Sequence, residues 1–273
     1  MSKVLELFNL KGQAAVITGG AGLLGAGFCR ALAEAGAAVA IADLDASAAS
    51  RLADELTREG LQAIAIETDV TLPASTSQMV QRAWSAFGRL DILVNSAALD
   101  PKFDPQHSGA HLNAFEDYPL ESWNQALNVN LTGIFLCCQA AVRPMLEQGR
   151  GVIINLCSTY GLVGPDQRIY QREGQPAQYK PVSYSVTKAG VLGLTRYLAT
   201  YYAGKNIRVN ALTPGGVYNQ HEDEFVQAYS SRAVLGRMAQ KNEMSGALLF
   251  LASEASSYMT GANLVVDGGW TAW

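Results

Sequence analysis

Short apolar runs alternate with longer segments of helical periodicity along the chain. The runs are apolar on both faces, which is typical of strands in a parallel sheet that helices cover on both sides. Seven of them predict strands at residues 14–18, 38–43, 63–67, 91–95, 151–156, 207–212 and 263–267. Between them, apolar residues recur at three and four positions in segments such as ASTSQMVQRAWSAFG, which predicts helices.

This alternation predicts an α/β fold. Right-handed crossovers from strand to helix to parallel strand build a Rossmann-type, doubly wound sheet, here with seven parallel strands and helices on both faces. No composition break, linker or internal repeat divides residues 1–273, so we expect a single domain.

Charge and cysteine content narrow the classes of function. The net charge is −4, the pI is near 5.4, and no basic cluster occurs, which favours a small-molecule substrate over nucleic acid or a membrane surface. No segment reads as a signal peptide or as a long apolar span, so a cytoplasmic location is expected. The four cysteines, Cys29, Cys137, Cys138 and Cys157, lie in apolar segments without metal-ligand spacing, which predicts buried, reduced thiols and no metal site.

A glycine-rich turn follows the first predicted strand. Gly19, Gly22 and Gly25 stand in the segment TGGAGLLG, which then enters a helix. Glycines in this pattern permit a tight turn and a close approach of the backbone to a pyrophosphate, and the start of the helix attracts the phosphate charge. The turn predicts a dinucleotide site, although glycines also make simple turns.

An acidic residue ends the second strand. Asp43 follows Gly25 by eighteen positions, where a carboxylate can accept hydrogen bonds from the ribose hydroxyls and would repel a 2'-phosphate. This favours NAD over NADP. In the alternative, Asp43 caps the next helix, a function that Asp45 or Ser47 could also serve.

A tyrosine and a lysine stand four residues apart in VSYSVTKAG. On a helix, Tyr184 and Lys188 share a face, and an ammonium near a phenol lowers the pKa of the phenol. Ser158 follows the fifth strand at its carboxyl end, where open parallel sheets bind their ligands. These residues predict a general acid or base beside a ligand site.

The chain resembles the short-chain dehydrogenase/reductase family over essentially its whole length. The match is carried by TGGAGLLG, by Asp69 in TDVT, and by LVNSAA, NVNLTGIF, INLCS, YSVTK, RVNALTPGGV and DGG. The segment from STYGLVGPDQRIY to the tyrosine helix also resembles reductases of bacterial pathways to acidic nine-carbon sugars.

The resemblance implies roles for individual residues. Tyr184 would transfer the proton, Lys188 would lower its pKa and hold the nicotinamide ribose, Ser158 would steady the substrate oxygen, and Asn130 would support a relay water through a helix irregularity. The implied coenzyme-binding residues are Gly19, Gly22, Leu23, Leu24, Gly25, Asp43, Asp69, Val70, Asn95, Ala97, Tyr184, Lys188, Pro214, Gly215, Val217 and Asn219.

Some positions depart from the family pattern. Leu23 stands where short members usually have glycine, so that the glycine spacing fits the extended branch, while chain length fits the short branch. Asn219 replaces a threonine that usually binds the carboxamide. Cys157 replaces a serine and reads as a core thiol.

Polar loops are expected to border the substrate. They lie at about 99–120, 161–182 and 215–232, and Ser158 and Tyr184 are 26 positions apart, roughly twice the usual family spacing. The expected substrate-binding residues are Tyr160, Arg168, Tyr170, Arg172 and His221. Guanidinium groups suit an anion, so the loops favour a small, sugar-like and anionic substrate, whereas solvated surface or subunit contacts are the alternative. Lys102, Asp104, His107 and His111 belong to the first loop, where a histidine metal pair is not expected.

The leading interpretation is an NAD-dependent oxidoreductase that interconverts an alcohol and a carbonyl. The alternatives are a sugar epimerase or dehydratase with tightly held NAD, a 3-oxoacyl-carrier reductase, and a non-catalytic NAD-binding module. The resemblance also implies a homotetramer, in which Trp270 and Trp273 of the last segment would lie at a subunit contact.

Overall fold

A computed structural model describes residues 2–100 and 113–273. The predicted α/β architecture is confirmed, because seven strands form one parallel sheet. The strands are β1 (Ala14–Thr18), β2 (Ala38–Asp43), β3 (Ala63–Glu67), β4 (Ile92–Asn95), β5 (Gly151–Leu156), β6 (Ile207–Pro214) and β7 (Asn263–Val266). Each strand begins and ends within two residues of its predicted position.

The sheet winds in two directions from its centre. Its spatial order is β3-β2-β1-β4-β5-β6-β7, so that β1 lies between β2 and β4. Val16 of β1 is opposite Ala40 on one side and Leu93 on the other. The chain therefore changes direction between β1 and β4, and a crevice opens there at the carboxyl ends of the strands.

Helices cover both faces of the sheet. They are α1 (Lys3–Glu6), α2 (Gly25–Glu34), α3 (Ala46–Arg58), α4 (Pro73–Phe87), α5 (Leu120–Leu127), α6 (Gly133–Glu147), α7 (Val182–Tyr201), α8 (Asp223–Ser230) and α9 (Ser245–Ala252). On one face α4, α6 and α7 bury residues such as Met79, Ile134 and Val191. On the other, α2, α3 and α9 bury Phe28, Leu56 and Leu248, so the sheet separates two apolar cores.

Local signals set the ends of these helices. The Asp45 Oδ1 accepts a hydrogen bond from the Ala48 N–H at 2.9 Å and caps α3. Proline at the first position begins α4, and Gly88, at a φ of 71°, ends it in the left-handed conformation. Because Asp45 caps α3, the neighbouring Asp43 is not needed for that purpose.

A π-helical segment, Asn128–Thr132, joins α5 to α6. The continuous helix Leu120–Glu147 is long and apolar enough, by length and composition, to cross a membrane. In this fold its apolar face instead packs on the sheet, since Ile134, Cys137, Ala141 and Met145 are buried in the core beside α4.

The cysteines are buried and free, as predicted. Burial raises the pKa of Cys29, Cys137, Cys138 and Cys157 above the ordinary range of a thiol. Within residues 2–100 and 113–273, no group of three or more potential ligands could hold a metal ion. His107 and His111 lie outside the described residues.

Candidate active site

A cleft of about 740 Å³ opens at the carboxyl edge of the sheet. It extends from the glycine turn after β1 to the loops that follow β5 and β6. Predicted site residues that line it are Gly19, Gly22, Leu23, Leu24, Gly25, Asp43, Asp69, Val70, Ala97, Ser158, Tyr160, Tyr170, Tyr184, Lys188, Pro214, Gly215, Val217, Asn219 and His221. The topology thus gathers residues from distant parts of the sequence into one cleft.

The backbone of the glycine turn is so closely packed that side chains do not fit at Gly19 or Gly25. A Cβ on Gly25 would lie 2.0 Å from the Gly19 carbonyl oxygen, and a Cβ on Gly19 would lie 2.7 Å from the Ala97 Cα. No side chain caps the first turn of α2, whose N-cap residue is Leu24. The Ala26 N–H of this turn already donates to the Gly22 carbonyl at 3.1 Å, so an anion in the cleft would be bound by the other N–H groups of the helix start.

Asp43 joins the end of β2 to the glycine turn. Its Oδ2 accepts a hydrogen bond from the Ala21 N–H at 2.9 Å, and its Oδ1 accepts one from the Asp45 N–H at 3.0 Å. The carboxylate thus lies beside the turn and faces the cleft, where it keeps lone pairs for further donors.

Asp69 and Val70 lie one strand further along the same edge. The Asp69 Oδ1 accepts hydrogen bonds from the N–H and the hydroxyl of Thr71, at 2.8 and 2.7 Å. Val70 packs so closely on the start of α6 that a Cβ on Gly133 would lie 2.8 Å from its Cγ2. Asp69 shapes the loop, and Val70 contributes an apolar surface.

Tyr184, Lys188 and Ser158 meet on the floor of the cleft. Lys188 is buried, and its Nζ donates a hydrogen bond to the Leu156 carbonyl oxygen at 2.9 Å. The same Nζ lies 5.7 Å from the centroid of the Tyr184 ring. The Ser158 side chain is hydrogen-bonded to Tyr184, and its Oγ accepts from the Tyr160 N–H at 3.3 Å.

The acidity of Tyr184 differs from the sequence-based expectation. Burial, assisted by the nearby negative charge of Asp100, raises the pKa of Tyr184 above the ordinary range of a phenol, and the hydrogen bond from Ser158 opposes this rise. Burial also lowers the pKa of Lys188 to about 8. The expected lowering by Lys188 is therefore wrong for these side chains alone, since desolvation outweighs the cation, which is engaged with a carbonyl.

Asn130 lies beneath the cleft, within the predicted helix irregularity. Its Oδ1 accepts from the Leu99 N–H at 2.6 Å, and its Nδ2 donates to the Leu99 carbonyl at 2.9 Å. A weaker contact of 3.4 Å joins Nδ2 to the Thr187 hydroxyl of α7. This paired amide connects the π-helical segment to the chain after β4.

Asn95 does not line the cleft, contrary to expectation. Its side chain is 1% exposed, and its Nδ2 donates to the Asn155 Oδ1 at 2.8 Å and contacts the Cys138 Sγ at 3.3 Å. Asn155 in turn donates to the Thr195 hydroxyl at 3.0 Å. Asn95 thus belongs to a buried polar chain that ties β4 and β5 to α7.

The end of β6 forms the opposite rim. Val217 bridges to Ala239, and the Asn219 N–H donates to the His221 Nδ1 at 3.2 Å. The His221 ring stacks on Phe225 with 5.1 Å between centroids. Part of the third predicted loop is the helix α8, which places Phe225 and Tyr229 at the cleft.

The arginines of the inserted loop do not reach the cleft, so the substrate contacts predicted for them are wrong. Arg168 is 82% exposed and pairs with Asp166 at 2.8 Å. The Arg172 guanidinium lies 3.3 Å from Glu222 and donates to the Gln171 carbonyl at 2.8 Å. Both cations are committed to neighbouring acceptors, which removes the basis for arginine recognition of an anionic substrate.

Aromatic residues form much of the substrate side of the cleft. Tyr160 and Tyr170 are buried, and the Tyr170 hydroxyl donates to the Tyr160 hydroxyl at 2.8 Å. They pack in one cluster with Tyr229, Met238 and Trp270. A short 3-10 helix, Gln167–Tyr170, turns Ile169 and Tyr170 inward, so the loop that reads as polar contributes apolar surface.

Two charged residues of the cleft are missing from the predicted site. Lys180 and Asp100 line it and form an ion pair of 2.5 Å. Each belongs to a predicted loop, but the two residues are 80 positions apart, and no sequence motif indicates that they pair. Asp100 ends the described part of the first loop, and Lys102 and Asp104 lie outside the described residues.

The carboxyl-terminal tryptophans differ from each other. Trp270 is buried within its own chain, where it stacks on Tyr229 with 4.1 Å between centroids. Its apolar surface therefore does not require a subunit contact, contrary to the expectation from the sequence. Trp273 is 78% exposed, and its Nε1 donates to the Arg232 carbonyl at 3.0 Å.

Comparison with known proteins agrees with this geometry. A family model described as enoyl-(acyl carrier protein) reductase matches residues 20–271. The chain is 37% identical to a cis-4-hydroxycyclohexanecarboxylate dehydrogenase from Sinomonas cyclohexanicum, over 95% of this chain and 97% of that protein. It is 35% identical to a D-threitol dehydrogenase from Mycolicibacterium smegmatis, over 97% and 95% of the two chains.

A solved structure has the same fold. It is a gluconate 5-dehydrogenase from Burkholderia cenocepacia J2315 in complex with NADP and tartrate, with a TM-score of 0.86 and 31% sequence identity. The match covers 98% of this chain and 99% of that one.

The glycine turn generates a first prediction. Gly25→Ala places a methyl group 2.0 Å from a backbone oxygen. We therefore expect the free energy of unfolding, measured in urea, to fall by about 1–3 kcal/mol. We also expect the affinity for NAD to fall. Gly246→Ala, in the first turn of α9, is the control, because a Cβ there meets nothing within 4 Å. Equal unfolding midpoints and NAD affinities for the two variants would contradict the close approach.

Proposed function

The chain belongs to the short-chain dehydrogenase/reductase family, whose members act on hydroxyl groups with a nicotinamide coenzyme, and we propose that it interconverts a secondary alcohol and a ketone on a small hydroxylated substrate with NAD. The observation that carries this proposal is the convergence of Ser158, Tyr184 and Lys188 on the floor of a cleft that begins at a glycine turn. A protein that only binds a dinucleotide needs the turn and not these three side chains.

Tyr184 is the proton carrier in this proposal. In the oxidation, the Tyr184 phenolate would accept the proton of the substrate hydroxyl, while the hydrogen on the hydroxyl-bearing carbon leaves with its electron pair. NAD supplies the acceptor for that hydride. In the reverse direction, the neutral phenol donates its proton to the developing alkoxide, and its raised pKa keeps this form populated at neutral pH.

Ser158 and Lys188 support this transfer. The Ser158 hydroxyl, which is hydrogen-bonded to Tyr184, would hold the substrate oxygen beside the phenol. The Lys188 ammonium, fixed by the Leu156 carbonyl, would bind a coenzyme ribose beside Tyr184. Asn130, anchored to Leu99, would support the water that carries protons away.

The front of the cleft would bind NAD. The glycine turn and the uncapped start of α2 would hold the pyrophosphate, and Asp43 would accept hydrogen bonds from the adenosine ribose. Asp69 and Val70 would border the adenine, and Ala97 would lie near the middle of the coenzyme. The nicotinamide end would be bordered by Pro214, Gly215, Val217 and Asn219. A negative charge at Asp43 opposes a 2'-phosphate, which supports NAD even though the related gluconate 5-dehydrogenase structure contains NADP.

The substrate side supports a small alcohol with further hydroxyl groups. Tyr160, Tyr170 and His221 line this end and combine ring faces with polar atoms, a composition suited to the apolar and hydroxylated faces of sugars and polyols. Among the relatives, one acts on the polyol threitol by name, and two act on the hydroxy acids gluconate and cis-4-hydroxycyclohexanecarboxylate. A role in pathways to acidic sugars is not part of the proposal, because Arg168 and Arg172 are paired elsewhere.

Replacement of Tyr184 tests the proton transfer. Tyr184→Phe removes one oxygen from a packed ring, so we expect kcat for alcohol oxidation to fall by about 10²- to 10⁴-fold. NAD affinity, measured by tryptophan fluorescence, is expected to stay within about twofold, since general acid–base chemistry and dinucleotide binding are separable.

The matched control for this substitution is Tyr202→Phe, just beyond the end of α7 and outside the cleft. That variant is expected to keep wild-type turnover. Turnover retained in Tyr184→Phe would remove the mechanism.

The coenzyme preference has its own test. Asp43→Asn keeps an acceptor for the Ala21 N–H but removes the charge, so the ratio of kcat/KM with NAD to that with NADP is expected to fall about tenfold or more. The control is Asp45→Asn, the same change at the cap of α3, with a ratio close to that of the wild type. An unchanged ratio in Asp43→Asn would show that this carboxylate does not select the coenzyme.

A further inference from the structure

An ion pair lies in the cleft beside the proposed proton carrier. The Lys180 Nζ is 2.5 Å from the Asp100 Oδ1. The same Nζ lies over the Tyr184 ring, 4.2 Å from its centroid, and 6.0 Å from the centroid of Tyr160. The Lys180 side chain is 12% exposed and that of Asp100 is 48% exposed, so the pair is set into the wall but open to the cleft.

The inserted loop holds Lys180 in this place. The Lys180 N–H donates to the Gln167 Oε1 at 2.9 Å, and the Gln167 Nε2 donates to the Lys180 carbonyl at 3.4 Å. The Gln171 Nε2 donates to the Gln178 carbonyl at 2.7 Å. Glutamines of the outgoing part of the loop thus clamp the returning part and direct the ammonium of Lys180 into the cleft.

The pair presents a donor next to an acceptor. An ammonium has three N–H donors, of which Asp100 takes one, and a carboxylate accepts several hydrogen bonds. A hydroxyl group both donates and accepts, so it can bind Lys180 and Asp100 together. A substrate carboxylate could accept hydrogen bonds only from Lys180 and would be repelled by the negative charge of Asp100. Because the pair is neutral overall, it offers no net positive charge to attract an anion.

We propose that Lys180 and Asp100 bind a second hydroxyl group of the substrate, so that the preferred substrate is an uncharged diol or polyol and not a hydroxy acid. The proposal rests on the proposed function, since it places this hydroxyl near the carbon that is oxidised at Tyr184. Close packing of the ammonium on the phenol ring confines that second hydroxyl to a carbon near the reacting one.

The rest of the substrate wall agrees with this class. Tyr160, Tyr170 and Phe225 present ring faces, which suit the carbon skeleton of a polyol. The nearby guanidinium groups of Arg168 and Arg172 already have carboxylate partners. Among the described residues of this wall, Lys180 and Asp100 are thus the charged groups that a substrate would meet, and together they are neutral.

The test compares three substrates that share one ring. Cyclohexanol, cis-1,2-cyclohexanediol and cis-2-hydroxycyclohexanecarboxylate are oxidised with saturating NAD by the full-length wild type, Lys180→Met and Asp100→Asn. The readout is the ratio of kcat/KM between two substrates within one variant. A ratio removes any general effect of Lys180 on Tyr184, which would slow all three substrates alike.

In the wild type, kcat/KM for the diol is expected to exceed kcat/KM for cyclohexanol and for the hydroxy acid by about tenfold or more. Lys180→Met is expected to lower the ratio of diol to cyclohexanol by about 10- to 100-fold, chiefly through KM. Asp100→Asn leaves an unopposed ammonium, so the ratio of hydroxy acid to diol is expected to rise about tenfold. The control is Lys205→Met, because Lys205 is exposed and lies just before the amino end of β6, away from the cleft. This variant should leave both ratios as in the wild type.

Two failures are distinguishable. If both ratios stay within about twofold of the wild type in Lys180→Met and Asp100→Asn, or if the wild type prefers the hydroxy acid, the diol subsite is overturned while alcohol oxidation stands. If the wild type oxidises none of the three alcohols, nor threitol, while it still binds NAD, the proposed function itself fails.

Discussion

The hydrogen bond from Lys188 to the Leu156 carbonyl holds the site together. It joins α7 to the end of β5. The backbone of α7 also lies close to the loop that follows β5, since a Cβ on Gly161 would lie 2.7 Å from the Lys188 backbone. With Lys188 fixed in this way, Tyr184, one turn earlier on α7, faces Ser158 at the end of the strand. The position of the phenol therefore depends on a buried cation that is paired with a backbone carbonyl.

Burial shifts the pKa values of Tyr184 and Lys188 in opposite directions. It raises the pKa of Tyr184 and lowers that of Lys188 to about 8, because removal from water disfavours the charged form of each. The neutral phenol is the form that donates a proton in ketone reduction, and it is the form present near neutral pH. Alcohol oxidation requires the phenolate, whose formation depends on the nearby cations and on the charges that a bound coenzyme adds.

The sequence predicts the framework well and the pairings of charged side chains poorly. Seven strands could be placed because apolar periodicity is local, and parallel topology brings their carboxyl ends, with Ser158 and the glycine turn, to one edge. Arg172 could not be placed, since its partners Glu222 and Glu224 lie about 50 residues further along the chain. The partner of Arg168, Asp166, is only two residues away, but the sequence does not show that this pair lies outside the cleft. The pair of Lys180 and Asp100, and the stacking of Trp270 on Tyr229, likewise depend on tertiary distances.

In the proposed mechanism, Tyr184 exchanges a proton with the substrate from a site where burial disfavours its charged form. The direct measurement is kcat/KM for alcohol oxidation with saturating NAD, followed across neutral and alkaline pH together with the reverse ketone reduction. Because the deprotonated fraction of a phenol grows with pH, oxidation is expected to rise toward alkaline pH while reduction does not. Oxidation that is independent of pH, or fastest in acid, would contradict this account.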